Sequence, residues 1–387
     1  MPRARHLAAV PANQRATDEQ ERSWLRRRSP SGQSGEHPSP ISHALELRLY
    51  RGMLLSRRLD ERLMALQRQG RVGFHVGHRG EEAAIIGAAA ALREQDWLVP
   101  CYREFGALLM RGAPLCTYLD QMFGNAADTG HGRQMPDHFH SRAQRCLSVS
   151  APIGTQIPHA VGLAYAARLK GRDDVALVFF GDGATSSNDF HAALNFAGVW
   201  GAPVVFACRN NGYAISLPSS QQTASKGFAC KAAAYGVRGV EVDGNDVLAV
   251  YEATRDAREA AARGHGPTLL ELVTYRLDAH SSSDDPRAYR SDEEVALAMV
   301  KEPIGRFKAH LLSCGALSEA EDAQLQEAVD AEVRAALDAT RAREKPALDT
   351  LFEDVYAETP WHLTLAAREA AQTARGGSAH TPEGSAD

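Results

Sequence analysis

Two short polar clusters in this chain carry the residue types that hold a metal-bound phosphate. The first is Gly181-Asp182-Gly183, and the second is Arg209-Asn210-Asn211-Gly212-Tyr213. Asp182 and Asn211 offer hard oxygen donors of the kind a divalent cation prefers, and the backbone carbonyl of Tyr213 adds a third. Glycines at 181 and 183 let the backbone approach a phosphate and turn N–H groups toward it. Arg209 supplies a guanidinium to neutralise the remaining phosphate charge. A Gly-Asp-Gly triplet alone is more often a plain turn, so the argument rests on where the two clusters sit.

Each cluster ends an apolar run. Val175 to Phe180 leads into the first and Pro203 to Cys208 into the second. Between them, Ser186 to Val199 places Phe190, Leu194 and Ala197 on one side of a helix. The pattern predicts strand, crossover helix, parallel strand, with both polar clusters at the carboxyl ends of the strands. That edge is where open parallel sheets bind ligands. A nicotinamide site fits less well, because the strand–helix turn lacks the G-x-G-x-x-G spacing.

The chain has 387 residues and a formal net charge of −5. That length buries a full core, and the mild acidity gives no electrostatic case for nucleic acid. No apolar run reaches the ~20 residues a membrane helix needs. Six cysteines are scattered without a C-x-x-C pair, which points to reduced, mostly buried thiols. A reactive Cys101 is the less favoured reading of that position. Residues 1–42 are rich in Arg, Ser, Pro and Gln and are expected to be disordered. Arg-rich starts suggest a transit peptide, but Asp18, Glu19 and Glu21 count against one. The expectation is therefore a cytoplasmic protein, with the mitochondrial matrix less favoured.

Residues 43–366 are expected to form one α/β domain with about five parallel strands, helical flanks and a helical C-terminal layer. Helices are expected at 41–69, 81–92, 105–111, 115–123, 155–169, 246–263 and across 291–342. Strands are expected at 96–100, 147–150, 237–242 and 268–275. Ser291 with Glu294 reads as a capping box. Residues 367–387 lose periodicity and read as a flexible tail. In the loop 124–145, His131, His138 and His140 fit no common zinc spacing; an ordered loop that closes over a ligand is favoured over a metal site. Tyr102 and Arg103 follow a predicted strand and could equally be a capping and salt-bridging pair. His280 follows another, beside a Ser/Asp-rich loop.

Taken together, the stretches YREFGALLMRG, GHGRQMPDHF, SAPIGTQIPHAVGLAYA, GDGATSS, RNNGYAIS, EVDGNDVLAVYEAT and YRLDAHSSSDDPRAYRS carry a family resemblance. Over roughly residues 43–365 the chain resembles the alpha subunits of thiamine-diphosphate-dependent 2-oxo acid dehydrogenases. It is most similar to the branched-chain branch, which acts on 2-oxoisovalerate; pyruvate and acetoin branches are the alternatives. The resemblance implies the thiamine-diphosphate-binding fold. It implies that Asp182, Asn211 and the Tyr213 carbonyl hold Mg. Tyr102, Arg103 and Arg209 would hold the diphosphate, with Gly183 and Ala184 meeting it through backbone N–H. Ile153, next to Ala151, would be an apolar prop under the cofactor. His280, with Tyr102 near it, would sit by the thiazolium. Ser150, Pro152, Thr155 and Gln156 match a monovalent-cation loop, which suits K. The family implies a beta subunit in an alpha2–beta2 heterotetramer, a lipoyl transacylase that takes the acyl group, and a 2-oxo acid substrate. Two departures stand out: Cys101 replaces a frequent Gln, and Asp182 replaces the Glu of some relatives. A reading of a different class is a non-catalytic subunit that merely binds a phosphate ligand. Ser281 matches a position phosphorylated in some relatives.

Overall fold

The computed structural model describes residues 26–28 and 41–376. Its strands are β1 (Arg26–Arg28), β2 (Trp97–Val99), β3 (Ala176–Gly181), β4 (Val204–Asn210), β5 (Tyr213–Ala214), β6 (Leu217–Pro218), β7 (Arg238–Asp243) and β8 (Thr268–Val273). Six of them form one sheet in the order β1-β7-β8-β4-β3-β2, and every pairing in it is parallel. β5 and β6 make a small antiparallel hairpin.

The central strands are largely apolar because helices cover both faces of the sheet. Side chains alternate between the two faces. Leu177, Phe179, Val205, Ala207, Leu270 and Leu272 point into one core, shared with α1 (His43–Arg68) and α2 (Glu82–Ala90). Ala176, Val178, Phe180, Val204, Phe206 and Cys208 point into the other. Next in chain order come α3 (Phe105–Met110), α4 (Leu115–Phe123), α5 (Gln156–Leu169) and α6 (Asn188–Trp200). α6 is the crossover between β3 and β4. The Ser187 hydroxyl accepts from Phe190 N to start it, and Gly201 at φ 59° ends it. It buries Phe190, Ala193, Leu194 and Ala197 in the second core, along with residues of α5.

α7 (Val247–Ala262) packs on α2 and is tied to the β2 edge by a buried pair: Arg258 donates to both Asp96 oxygens at 2.9 and 3.0 Å. The C-terminal layer is α8 (Asp292–Met299), α9 (Pro303–Ser313), α10 (Glu319–Arg341) and α11 (Trp361–Gly376).

Several expectations are corrected. Residues 147–150 form no strand, because the chain there meets β2 only through a bridge between Leu98 and Cys146. Within 1–42, residues 26–28 add an edge strand beside β7; residues 1–25 and 29–40 lie outside the described residues. α11 continues past residue 366, so the expected tail begins in a helix, and residues 377–387 lie outside the description. Only half of the capping box forms. The Ser291 hydroxyl caps α8 by accepting from Glu294 N, whereas the Glu294 carboxylate accepts from the hydroxyls of Tyr213 and Tyr275.

Candidate cofactor site

β3 and β4 are neighbours in register, with Gly181 opposite Arg209. Asp182 and Asn211 therefore leave the same edge of the sheet on adjacent strands, and both are buried. Asp182 opens a single 3-10 turn, Asp182–Ser186, whose Thr185 hydroxyl donates to the Asp182 carbonyl at 2.8 Å. Its carboxylate accepts from Gln222, and burial pushes its pKa up to about 6. A carboxyl group so desolvated favours a cation beside it. Gly183 has no room for a side chain, since a Cβ there would meet that of Ala214 at 2.7 Å. The buried Ala184 follows it.

Asn211 donates from Nδ2 to Glu81 Oε1 at 3.0 Å, which fixes the amide with its oxygen on the other side. The other Glu81 oxygen accepts from Arg209, which also pairs with Glu104. Arg103 Nε lies 3.9 Å from Glu81. Glu81 thus carries two guanidinium groups and the Asn211 amide on one fully buried carboxylate, and these partners hold its pKa down against burial.

Arg103 bridges inward to the Gly77 carbonyl and outward to His280, reaching its carbonyl at 2.6 Å and Nδ1 at 3.1 Å. Arg276 faces the same Nδ1 at 3.5 Å and the Tyr213 carbonyl at 3.4 Å. With two guanidinium donors aimed at Nδ1, the proton of a neutral ring sits on Nε2. Burial, Arg103 and Arg276 push the His280 pKa down to about 3, so the imidazole is neutral at pH 7. The Tyr102 ring meets the His280 ring edge-on at 6.2 Å, with the Arg103 guanidinium 5.3 Å from the Tyr102 ring centre. Burial pushes the Tyr102 hydroxyl up to about 12.

The loop 150–156 abuts the 3-10 turn: Gly154, at φ +95°, approaches so closely that a Cβ would lie 2.4 Å from the Ser187 hydroxyl. Thr155 Oγ1 donates toward Ser150 Oγ and the Pro152 carbonyl, both at 3.1 Å. Gln156 spends its amide on the Phe179 carbonyl at 2.9 Å. Ala151 and Ile153 are exposed, Ile153 by 48%, so Ile153 offers an unpacked apolar surface within this chain.

The structure joins Arg103, Arg209, Asn211, Tyr213 and His280 through one polar network; Tyr102 meets it through ring contacts, and Asp182 stands at the adjacent strand end, held by Gln222. Sequence reading missed the linking residues Glu81, Glu104 and Arg276, and the Asp182 partner Gln222. Glu81 looked like the start of an alanine-rich helix. A carboxylate beside a glycine turn, in a chain with several arginines after strands, is the signal that was available. Cys101 is buried with its thiol pushed up to about 12, which suits packing rather than reactivity. The 131–140 loop is ordered by its own contacts: His140 meets Thr129 at 3.0 Å, and His138 donates to the Pro136 carbonyl at 3.1 Å.

The description "Dehydrogenase E1 component" belongs to a family model that matches residues 50–349, and the chain belongs to that family. It is an oxidoreductase of the thiamine-diphosphate-dependent kind, an alpha-type subunit with a beta-subunit counterpart. It is 44% identical over 325 residues to 2-oxoisovalerate dehydrogenase subunit alpha 1, mitochondrial, of Arabidopsis thaliana, covering 84% of this chain and 69% of that one. The Caenorhabditis elegans alpha subunit is 45% identical over 319 residues (82% and 74%). The Homo sapiens subunit is 42% identical over 318 residues (82% and 72%). All three are named mitochondrial, which overturns the expectation of a cytoplasmic protein. Asp18, Glu19 and Glu21 among nearby arginines do not decide a compartment.

Proposed function

We propose that this chain, paired with a beta subunit, catalyses the oxidative decarboxylation of branched-chain 2-oxo acids and passes the acyl group to a lipoyl transacylase. The observation that carries the proposal is the meeting of Asp182, Asn211 and two buried arginines at one sheet edge. An all-oxygen donor set of a carboxylate, an amide oxygen and the Tyr213 carbonyl suits Mg rather than a softer metal. The residues fit a Mg-bound diphosphate: Arg209 and Arg103 are already desolvated and oriented by fixed partners, and Arg276 adds a third guanidinium, so an arriving anion meets preorganised donors.

Thiamine diphosphate supplies the electron sink for loss of CO2. The chain's own residues bind and orient. Asp182 and Asn211 would hold the metal, while Gly183 and Ala184 would present backbone N–H groups to the diphosphate. His280, neutral with its proton on Nε2, offers a hydrogen-bond donor without adding charge. Ile153 supplies apolar support. Glu81 has its oxygens committed to Arg209 and Asn211, so a carboxylic acid for a pyrimidine ring is assigned to the beta subunit. The family resemblance adds an alpha2–beta2 assembly to that division of labour. The Ser150, Pro152 and Thr155 oxygens, clustered within 3.1 Å contacts, suit a large monovalent cation such as K.

The test is CO2 release from 2-oxoisovalerate by the chain co-purified with its beta subunit, with and without thiamine diphosphate and Mg. Cofactor-dependent release supports the proposal. Turnover of pyruvate or acetoin alone moves the chain to a sibling branch, and cofactor binding without turnover of any of these favours a regulatory subunit.

A further inference from the structure

A second buried polar cluster lies behind the cofactor site, and no step above uses it. His75 is fully buried between two carboxylates. Its Nε2 is 2.7 Å from Asp60 Oδ1, on α1, and its Nδ1 faces Asp137 Oδ2 at 3.3 Å, from the loop after α4. The ring is hydrogen-bonded to Asp60 through Nε2 and in charge contact with Asp137 on the Nδ1 side, and a carboxylate against each nitrogen favours the imidazolium. The neighbouring charges from the two aspartates push its pKa up to about 10 despite burial.

Around this ring, the two carboxylates also grip the backbone of residues 75–80. Asp137 accepts from Val76 N at 2.7 Å and Asp60 from His78 N at 3.0 Å. The Tyr118 hydroxyl donates to the remaining Asp137 oxygen. Gly77 passes Asp60 so closely that a Cβ would sit 2.9 Å from its carboxylate. His78, three residues on, is neutral: burial pushes it down to about 4, and it pairs with the Ser56 hydroxyl at 2.7 Å.

The other side of the same segment is a rail for the loop that carries His280. Ser282 N donates to the His75 carbonyl at 2.9 Å, and His75 N donates to Ser282 Oγ at 3.2 Å. Leu277 N donates to the Arg79 carbonyl at 3.0 Å, and Thr274 Oγ1 to that of Gly80 at 2.8 Å. Arg103 spans the two, from the Gly77 carbonyl to the His280 carbonyl.

We propose that His75 is a positioning residue: its imidazolium, pinned between Asp60 and Asp137, fixes the 75–80 segment and thereby sets Arg103 and His280 for the cofactor. Without the cation, two buried carboxylates face each other with only N–H and O–H donors left, and the segment gives way. The inference rests on the reading that Arg103 and His280 belong to the cofactor site.

The test uses the co-purified alpha–beta complex carrying His75→Gln. Backbone hydrogen exchange at 281–283 is expected to speed up at least tenfold, while β3 amides stay protected. The KM for thiamine diphosphate should rise at least tenfold, with kcat at saturating cofactor within about threefold. Pairing His75→Gln with Asp137→Asn removes one carboxylate along with the cation and should recover at least part of both effects. If His75→Gln fails to assemble, Ser282→Ala cuts one rail bond from an ordinary loop position and should still loosen 281–283. Unchanged exchange at 281–283 in the assembled variants, or a double variant worse than either single, overturns the proposal. His280→Asn in the same complex is the separate control: an unaltered KM and kcat there would sink the site assignment, while the exchange result still judges the pin.

Discussion

Glu81→Gln bears on the site most sharply. The wild-type carboxylate uses one oxygen for Arg209 and the other for Asn211. A glutamine has one acceptor oxygen, so its NH2 must face either a guanidinium or an amide NH2. Arg103 loses its carboxylate neighbour, while Arg209 keeps Glu104. Breaking a buried charge pair typically costs 3–5 kcal/mol, and the surviving Arg209–Glu104 pair brings the expected loss to about 3 kcal/mol. Urea unfolding of the assembled complex should show that loss as a lower midpoint with an unchanged slope. The same change frees the Asn211 amide to rotate, so the Mg concentration for half-maximal activity should rise about tenfold. A variant with wild-type midpoint and wild-type Mg dependence would refute the idea that Glu81 organises this site.

Other outcomes follow from the same structure. Gly80 sits at φ +95° with the Tyr275 carbonyl 2.3 Å from any added Cβ, so Gly80→Ala should destabilise by about 3 kcal/mol in the same unfolding assay. Arg258→Ala leaves Asp96 buried without its cation and should cost about 3–5 kcal/mol, lowering the urea midpoint further than any surface arginine change. His75 and His78 should titrate with opposite linkage. His75, raised from 6.5 to about 10, contributes stability that is full below pH 6.5 and lost as pH rises toward 10. His78, lowered to about 4, contributes stability present above 6.5 and lost as pH falls through 4. Histidine NMR resonances assigned by mutation should show a doubly protonated His75 and a neutral His78 at pH 8.

The central strands were legible because burial on both sheet faces leaves continuous apolar runs, as in Val175–Phe180 and Pro203–Cys208. The polar clusters closing those runs put Asp182 and Asn211 at the carboxyl ends of adjacent strands for the same reason. What stayed hidden was supplied by distant segments. Glu81 reaches Arg209 from well over a hundred positions away, and no local pattern marks a carboxylate that serves two strand ends. Arg276 meets Tyr213 only once β8 lies beside β4. The mistaken strand at 147–150 had the right residue types, but its backbone shares only one bridge with β2. Glu294 fits a helix-capping pattern, yet two tyrosine hydroxyls from β5 and the segment after β8 claim it.

The most direct measurement replaces Mg with Mn2+ and follows its binding to the alpha–beta complex by electron paramagnetic resonance, with thiamine diphosphate present. One Mn2+ per alpha chain should bind in the wild type, and its phosphorus coupling should reveal the diphosphate beside it. Asp182→Ala and Asn211→Ala should each abolish that signal in complexes that still assemble. Wild-type Mn2+ binding and coupling in either variant would contradict the account.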